Sequence, residues 1–398
     1  MRNPLPPASV LIVGGGIGGI VLGDRLSALG IAVTICERHQ GRAGSSWPEI
    51  LWPATKARLA LCRGGNDVTG RSLLTLGGMQ AHVGGRWREL LSLEGLQASS
   101  YGPVSADPHG LREGLLASSP CQIRRGLTWE RPILDGDGSI RGGVFREAGS
   151  GAELEIRADL VVGDDGSGSR VREAIGIRFD ARSFPLDFLC FPVLWPTRFP
   201  PDEALLWAAP GLPGIAGAMV MPQSPGGGGA GMILVDPAIR AAVGEETLWQ
   251  ACLERLPDFA DFVVRAEEIP TAVVRDWGHA RAYGGRGGVL LGDAIHPTSP
   301  AGGQGANMAV ADAVALGGLV PQGGEFARLL ATYESQRREA NAKSVGITAA
   351  VASGLRAPLP GSWRRGLVRG GIRSVSRLGW APWFLRFPAT AFLGGEME

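Results

Sequence analysis

This sequence has almost no excess of charge of either sign. Across 398 residues, 39 Lys and Arg nearly balance 38 Asp and Glu, leaving a formal net charge of +1. So even a balance gives no global footprint for a polyanion and argues against nucleic acid as a partner. Cysteine is thin as well. Cys36, Cys62, Cys121, Cys190 and Cys252 show no C-x-x-C pair and no metal-ligand spacing. That usage points away from a disulfide scaffold or a structural metal. It fits a reduced, cytoplasmic setting in which thiols pack as small apolar groups. No stretch reaches the roughly 18–20 apolar residues of a membrane span. Met1–Gly19 lacks a secretory-signal pattern, because glycines interrupt its short apolar run. Tyrosine is limited to Tyr101, Tyr283 and Tyr333, and histidine to His39, His82, His109, His279 and His296. No acid–base relay is legible from them, and the catalytic residues stay unassigned.

Glycine is abundant instead, at 62 residues. The run Ser224–Met232 separates the apolar runs Ala218–Met221 and Met232–Val235 and predicts a hairpin loop. No helical pattern follows it, so it lacks the helix N-terminus that a phosphate cradle needs. The glycines near the N-terminus differ. Val10–Val13 is a continuous apolar run, expected as a buried parallel strand, and it leads into Gly14-Gly15-Gly16-Ile17-Gly18-Gly19. A helix to about Leu29 and a second strand, Ala32 to Cys36, follow, ending at Glu37. Gly14 permits the tight turn, Gly16 lets backbone approach a pyrophosphate, and Gly19 lets the helix pack close on the strand. Glu37, 18 residues beyond Gly19, suits the two ribose hydroxyls of an adenosine and would repel a 2′-phosphate. The site is therefore expected to take FAD or NAD rather than NADP.

Two later segments narrow the choice. Ala158–Glu173, "ADLVVGDDGSGSRVRE", is a buried strand followed by Asp165-Gly166, Ser169 and Arg172, with Asp164 expected as a local turn residue. Gly287–Ala313, "GGVLLGDAIHPTSPAGGQGANMAVADA", runs from a strand into Gly292-Asp293 and then into a small-residue helix from about Gln304. In this order the three motifs resemble the group A flavoprotein monooxygenases, the para-hydroxybenzoate hydroxylase family, over residues 8 to about 340.

The resemblance implies an α/β fold: a Rossmann-like FAD-binding domain of the glutathione-reductase type, with an inserted mixed β-sheet substrate domain and a C-terminal helical tail. The expected division is 1–72, 100–175 and 270–345 for FAD, 73–99 and 176–269 for substrate, and 346–398 for a basic tail. It also implies an FAD-dependent oxidoreductase that uses NADH or NADPH and O2. Through a flavin C(4a)-hydroperoxide, it would hydroxylate or epoxidise a small molecule; the unremarkable polar content of the pocket region fits a setting of secondary metabolism. Asp293 is implied to bond the ribityl chain. The turn Gly302-Gly303-Gln304-Gly305-Ala306-Asn307 is implied to bring backbone donors to the ring, with Asn307 near it and Pro300 on its substrate side. Arg38 joins Glu37 in the cofactor set, and Asp165 and Arg172 are implied to support FAD or NAD(P)H, with a surface helix arginine as the other reading of Arg172. Where the family pattern has arginine before the second motif, "PHGLREGLL" puts His109, with Arg112 three residues on; both are candidates. His296 reads as strand-end support.

Trp87, Phe184, Phe188, Phe191, Trp195, Trp207, Met219, Met221 and Met232 favour, as a set, an apolar substrate, aromatic or prenylated/alkylated. A flavin halogenase would carry W-x-W-x-I-P, which is missing. A reductase of the geranylgeranyl type and a non-catalytic FAD-binding protein stand as alternatives. From Ala340 to Thr390 eight cations and no anions alternate with Trp363, Trp380, Trp383, Phe384 and Phe387. Two readings fit: a helical cap with a solvated basic face, or weak peripheral contact with an anionic membrane.

Overall fold

The computed structural model describes residues 5–41, 47–63, 65, 73–83, 85–93, 102–208, 212–265, 268–270, 272–273, 276–300 and 303–356. The run Val10–Val13 offers no polar position to turn toward water, and it lies buried near the middle of a six-stranded sheet. Strands follow the order Gly284–Gly285, Gly288–Leu290, Leu160–Gly163, Ser9–Val13, Ala32–Glu37 and Gln122–Arg125. All neighbours are parallel except the two-residue strand at the edge. Register aligns Val13 with both Cys36 and Gly163, and Gly163 with Leu290. Four adjacent strands therefore deliver Gly14, Glu37, Asp164 and Gly292 to one edge of the sheet. In parallel α/β sheets that carboxyl edge is where ligands bind.

Among the described residues the α-helices are α1 (Ile17–Ala28), α2 (Pro53–Ala60), α3 (Pro108–Ser118), α4 (Arg170–Ala174), α5 (Pro237–Arg255), α6 (Gly305–Leu319) and α7 (Phe326–Arg356). Asp107 starts α3 by accepting from Gly110 N–H at 2.9 Å, and Asp236 starts α5 by accepting from Ala238 N–H at 2.9 Å; a proline follows each cap. Small residues let α1 and α6 approach closely: a Cβ on Gly18 would stand 3.1 Å from the Ala309 carbonyl oxygen. Tyr333 and Asn341 of α7 are fully buried, and the large core beneath joins these helices to the sheet.

A seven-stranded sheet follows the order Ala272–Val273, Asp187–Leu194, Gly228–Val235, Ile215–Pro222, Glu203–Ala208, Gly78–Val83 and Arg86–Ser92. Its two faces differ. Phe191, Val193, Leu205 and Trp207 point to one face and pack with Trp249 of α5, Phe259 and Phe262; Trp87 and Trp195 pack against the same cluster. Four of the aromatics expected to favour a substrate (Trp87, Phe191, Trp195 and Trp207) thus build a core on the α5 side. Phe188, Met219, Met221 and Met232 take the opposite face, because strand alternation separates them from those residues.

The glycine run is only partly a loop. Its second strand begins at Gly228, with Gly228 paired to Leu194 and Gly231 to Phe191. A Cβ at Gly231 would lie 2.1 Å from the Phe191 ring, so the missing side chain is the room that ring occupies. At the other end of the chain, the boundary expected at 346 falls inside α7, and 357–398, with its tryptophans, lies outside the described residues. Among the described residues no helix is long and apolar enough to cross a membrane.

Candidate cofactor site

Gly14 adopts φ 105°, and a Cβ there would meet the Asp164 carbonyl oxygen at 2.1 Å, so only glycine closes this turn on the neighbouring strand. Gly16 caps α1 with no side-chain hydrogen bond, and the helix end keeps its partial positive charge. Beside it, Glu37 accepts from Gly15 N–H through Oε2 and from His39 N–H through Oε1, both at 2.8 Å. Those two bonds fix the carboxylate and leave it lone pairs for ribose hydroxyls. A narrow cleft opens here, lined by Gly15, Ile35, Glu37, His109, Arg112 and Arg125 among others. Arg125 donates two bonds to Glu113, at 2.8 and 2.9 Å, fastening α3 and its two candidates to the strand end. Arg38 is exposed and donates to the His39 ring. A glycine-lined helix end, a fixed carboxylate and basic residues along one cleft fit the ADP half of FAD.

The second motif is a tight turn. Asp165 accepts from Val171 N–H at 3.1 Å, and Ser169 caps α4 through Arg172 N–H at 2.9 Å. Burial raises the Asp165 pKa, while bonds from Ser169 and Val171 oppose the rise. Arg172, whose buried guanidinium has its pKa lowered by burial, donates to the carbonyls of Ala294 and Ser167 at 2.9 and 2.7 Å. Asp164 is more than a turn residue. Its Oδ2 accepts from Gly19 N–H at 2.8 Å, inside the glycine cradle.

The third motif meets α6. The Asp293 carboxylate stands 3.9 Å from the Cβ position of Gly305, at a helix start to which the Gln304 side chain gives no capping bond. Asn307 is buried. Its Nδ2 donates to the carbonyls of Ile50 and Gly303, each at 2.7 Å, and its Oδ1 accepts from Trp52 N–H at 3.0 Å. Ala306 is buried beside it, a Cβ at Gly303 would press on Ile50, and Pro300 is half-buried where the loop begins. The structure thus gathers Gly14, Gly16, Gly19, Glu37, His109 and Arg112 at one end, and Gly292, Asp293, Gly303, Gly305, Ala306 and Asn307 at the other. Asp165 sits between them, turned toward α4.

One constellation was invisible in the sequence. His296 Nε2 lies 2.5 Å from Asp312 Oδ2, while Asp312 Oδ1 accepts from Arg337 at 2.8 Å and Asn341 at 3.0 Å. Asn341 also reaches the Tyr283 hydroxyl at 3.2 Å, which lies 2.7 Å from His279 Nε2. Burial pushes the Asp312 carboxyl up, but the His296 ring and the Arg337 guanidinium outweigh this and hold it below its ordinary value. The network ties the loop after Asp293 to α6 and α7.

Residues 7–347 match the family model described as the FAD binding domain. The chain belongs to that family. It is 29% identical over 362 residues to 6-methylpretetramide 4-monooxygenase of Streptomyces rimosus, covering 81% of this chain and 78% of that one. It is 28% identical to a putative 2-heptyl-3-hydroxy-4(1H)-quinolone synthase of Rhodococcus erythropolis, covering 82% and 83%. Among solved structures, p-nitrophenol 4-monooxygenase from Pseudomonas putida superposes with a TM-score of 0.74 at 19% identity, over 98% of this chain and 99% of that one. A 2-methyl-3-hydroxypyridine-5-carboxylic acid oxygenase gives 0.72 at 18%, over 97% and 98%. The chain is an FAD-dependent oxidoreductase of the group A flavoprotein monooxygenases.

Proposed function

We propose that this monooxygenase draws electrons from NADH or NADPH and hydroxylates an apolar aromatic small molecule, its ring bare or carrying an alkyl or prenyl chain. FAD, when bound, supplies the electron transfer and the activation of O2. In this reading the protein binds and orients. Gly14, Gly16 and Gly19 bring the end of α1 to the pyrophosphate, and Glu37, with Arg38 behind it, holds the adenosine ribose. His109 and Arg112 line the cleft, Asp165 supports the turn between the motifs, and Gly292-Asp293 hold the ribityl chain. Gly303, Gly305, Ala306 and Asn307 form the helix start facing the ring, whose substrate side Pro300 lines. Segments 1–72, 100–175 and 270–345 are read as the FAD-binding domain, and 73–99 with 176–269 as the substrate domain.

The observation that carries the substrate reading is one lateral row of the seven-stranded sheet. Register aligns Ala81, Leu206, Met219, Met232 and Cys190 as neighbours across five strands. Leu206, Met219 and Cys190 are half-buried, on the face away from α5. Trp47 packs on this face, three residues before the Ile50 carbonyl that Asn307 holds. A wall of thioethers and alkyl groups excludes water and adapts to a flat or chain-bearing apolar guest. The two relatives named above are a pretetramide monooxygenase and a quinolone synthase, which fits such a guest. The test is turnover with NADH or NADPH under ¹⁸O₂ against an alkylquinolone and a polycyclic phenol. Stimulated NAD(P)H oxidation with one labelled oxygen in the product is expected. Oxidation indifferent to both, with no labelled product, would contradict the reading.

The scattered cysteines fit the reducing environment of the cytoplasm. For the basic, tryptophan-bearing segment, we propose weak contact with anionic membranes. It predicts that full-length protein floats with anionic liposomes and a chain ending at Leu359 does not; equal behaviour would remove the idea.

A further inference from the structure

We propose that Asp164 is a cofactor-binding residue that enters the holoprotein as a neutral acid, so that FAD and one proton bind together. The inference rests on the reading that the pyrophosphate lies at the N-terminus of α1.

The geometry starts from the glycines. A Cβ on Gly16 would lie 2.4 Å from Asp164 Oδ2, one on Gly19 2.6 Å from the same oxygen, and one on Gly292 3.3 Å from Oδ1. The carboxyl therefore fills the space between the α1 cradle and the turn that carries Asp293, and its Oδ2 takes the Gly19 N–H at 2.8 Å. A carboxylate at a helix N-terminus is ordinarily stabilised as the anion. Here the surroundings oppose that.

Glu37 faces it from the second strand, Asp293 from the third motif and Asp165 from its own turn, all acidic, while Tyr333 of α7 lies within electrostatic reach. Burial raises the Asp164 pKa well above the ordinary range; the Gly19 N–H opposes this, and the three acids add to it. Its neighbours have other anchors. Glu37 spreads its charge over two backbone N–H groups, and Asp165 has Ser169 and Val171. A pyrophosphate held at the same helix end would add charge of the same sign. Asp164 is the group best placed to take up the proton that relieves the repulsion, and as an acid its O–H becomes a donor that an anionic phosphate oxygen can accept.

Linkage fixes the sign. Between the raised pKa of the cofactor-free protein and the higher one with FAD bound, binding takes up a proton. Across that window FAD is held more tightly at the lower pH and released as pH rises, by up to about tenfold per pH unit. The test dilutes holoprotein and follows released flavin by its fluorescence between about pH 5 and pH 9. Wild type should lose affinity with rising pH. Asp164→Asn, which mimics the neutral acid, should hold FAD at high pH with a flat profile. Asp164→Ala should also be flat, and it covers the case in which the amide variant fails to fold.

A flat wild-type profile overturns the proposal, as does an unchanged slope in both variants, which would move the proton to Glu37 or Asp293. Gly16→Val separates the underlying reading. Lost retention in that variant beside a flat wild-type profile removes the proton linkage alone. Unchanged retention removes the cradle as well.

Discussion

The guanidinium of Arg172 donates to the carbonyl of Ala294 at 2.9 Å, across 122 residues of sequence. One buried side chain thereby braces the turn of Asp165-Gly166 against the loop that carries Asp293, and its face lies 4.3 Å from the Phe179 ring centroid. Arg172→Met is expected to leave two carbonyls unpaired and cost about 2–4 kcal/mol of stability. Flavin should also escape faster. Urea unfolding of the holoprotein and flavin fluorescence check both.

Asn307 pins the stretch from Ile50 to Trp52 onto the start of α6 with two hydrogen bonds, and a third holds the Gly303 carbonyl. Asn307→Leu keeps the volume and strips the polarity, leaving buried backbone groups unpaired at about 1–3 kcal/mol. The expected outcome is a lower midpoint of thermal unfolding and a blunted response of flavin absorbance to aromatic ligands.

Arg337→Met should be the most damaging change in the buried network. Asp312 is fully buried and would lose its permanent cation, at about 3–5 kcal/mol. Equilibrium unfolding in urea measures the loss.

His279 makes the fold acid-sensitive. Burial, helped by His296 and Arg338, lowers its pKa to about 4 from the ordinary 6.5, while Asp312 opposes. Between those values the unfolded chain binds a proton that the folded chain does not, so stability falls as pH falls from 6.5 toward 4. The loss is of the order of 2 kcal/mol after solvent screening. Thermal unfolding of wild type and His279→Phe at several pH values should show a flatter curve for the variant.

The strand–glycine–helix–strand–acid unit was legible in the sequence, because continuous apolar runs, glycine spacing and an acid at a strand end are all local signals. The edge that collects Gly14, Asp164 and Gly292 depends on strand order, which brings Asp164 to Gly19 across 145 residues. No local pattern carries that. Asp312, His296, Arg337 and Asn341 come from three separate segments, and an acid inside a small-residue helix gives no hint of its cation. The faces of the substrate sheet were unreadable for a related reason. Trp207 and Met219 are equally apolar, and only register sends one to α5 and the other to the opposite wall. Glycines that read as loop proved to be strand because a phenylalanine ring on the next strand needed the room.

The most direct measurement of the central claim is the visible spectrum of the purified protein, taken first without oxygen during addition of NADH or NADPH and then on readmitting air. The account predicts a yellow protein whose flavin bands bleach with the nicotinamide and return with oxygen, with either step altered by an apolar aromatic ligand. A colourless protein that cannot be loaded with FAD, or a flavin that neither nicotinamide reduces with or without such ligands, would contradict it.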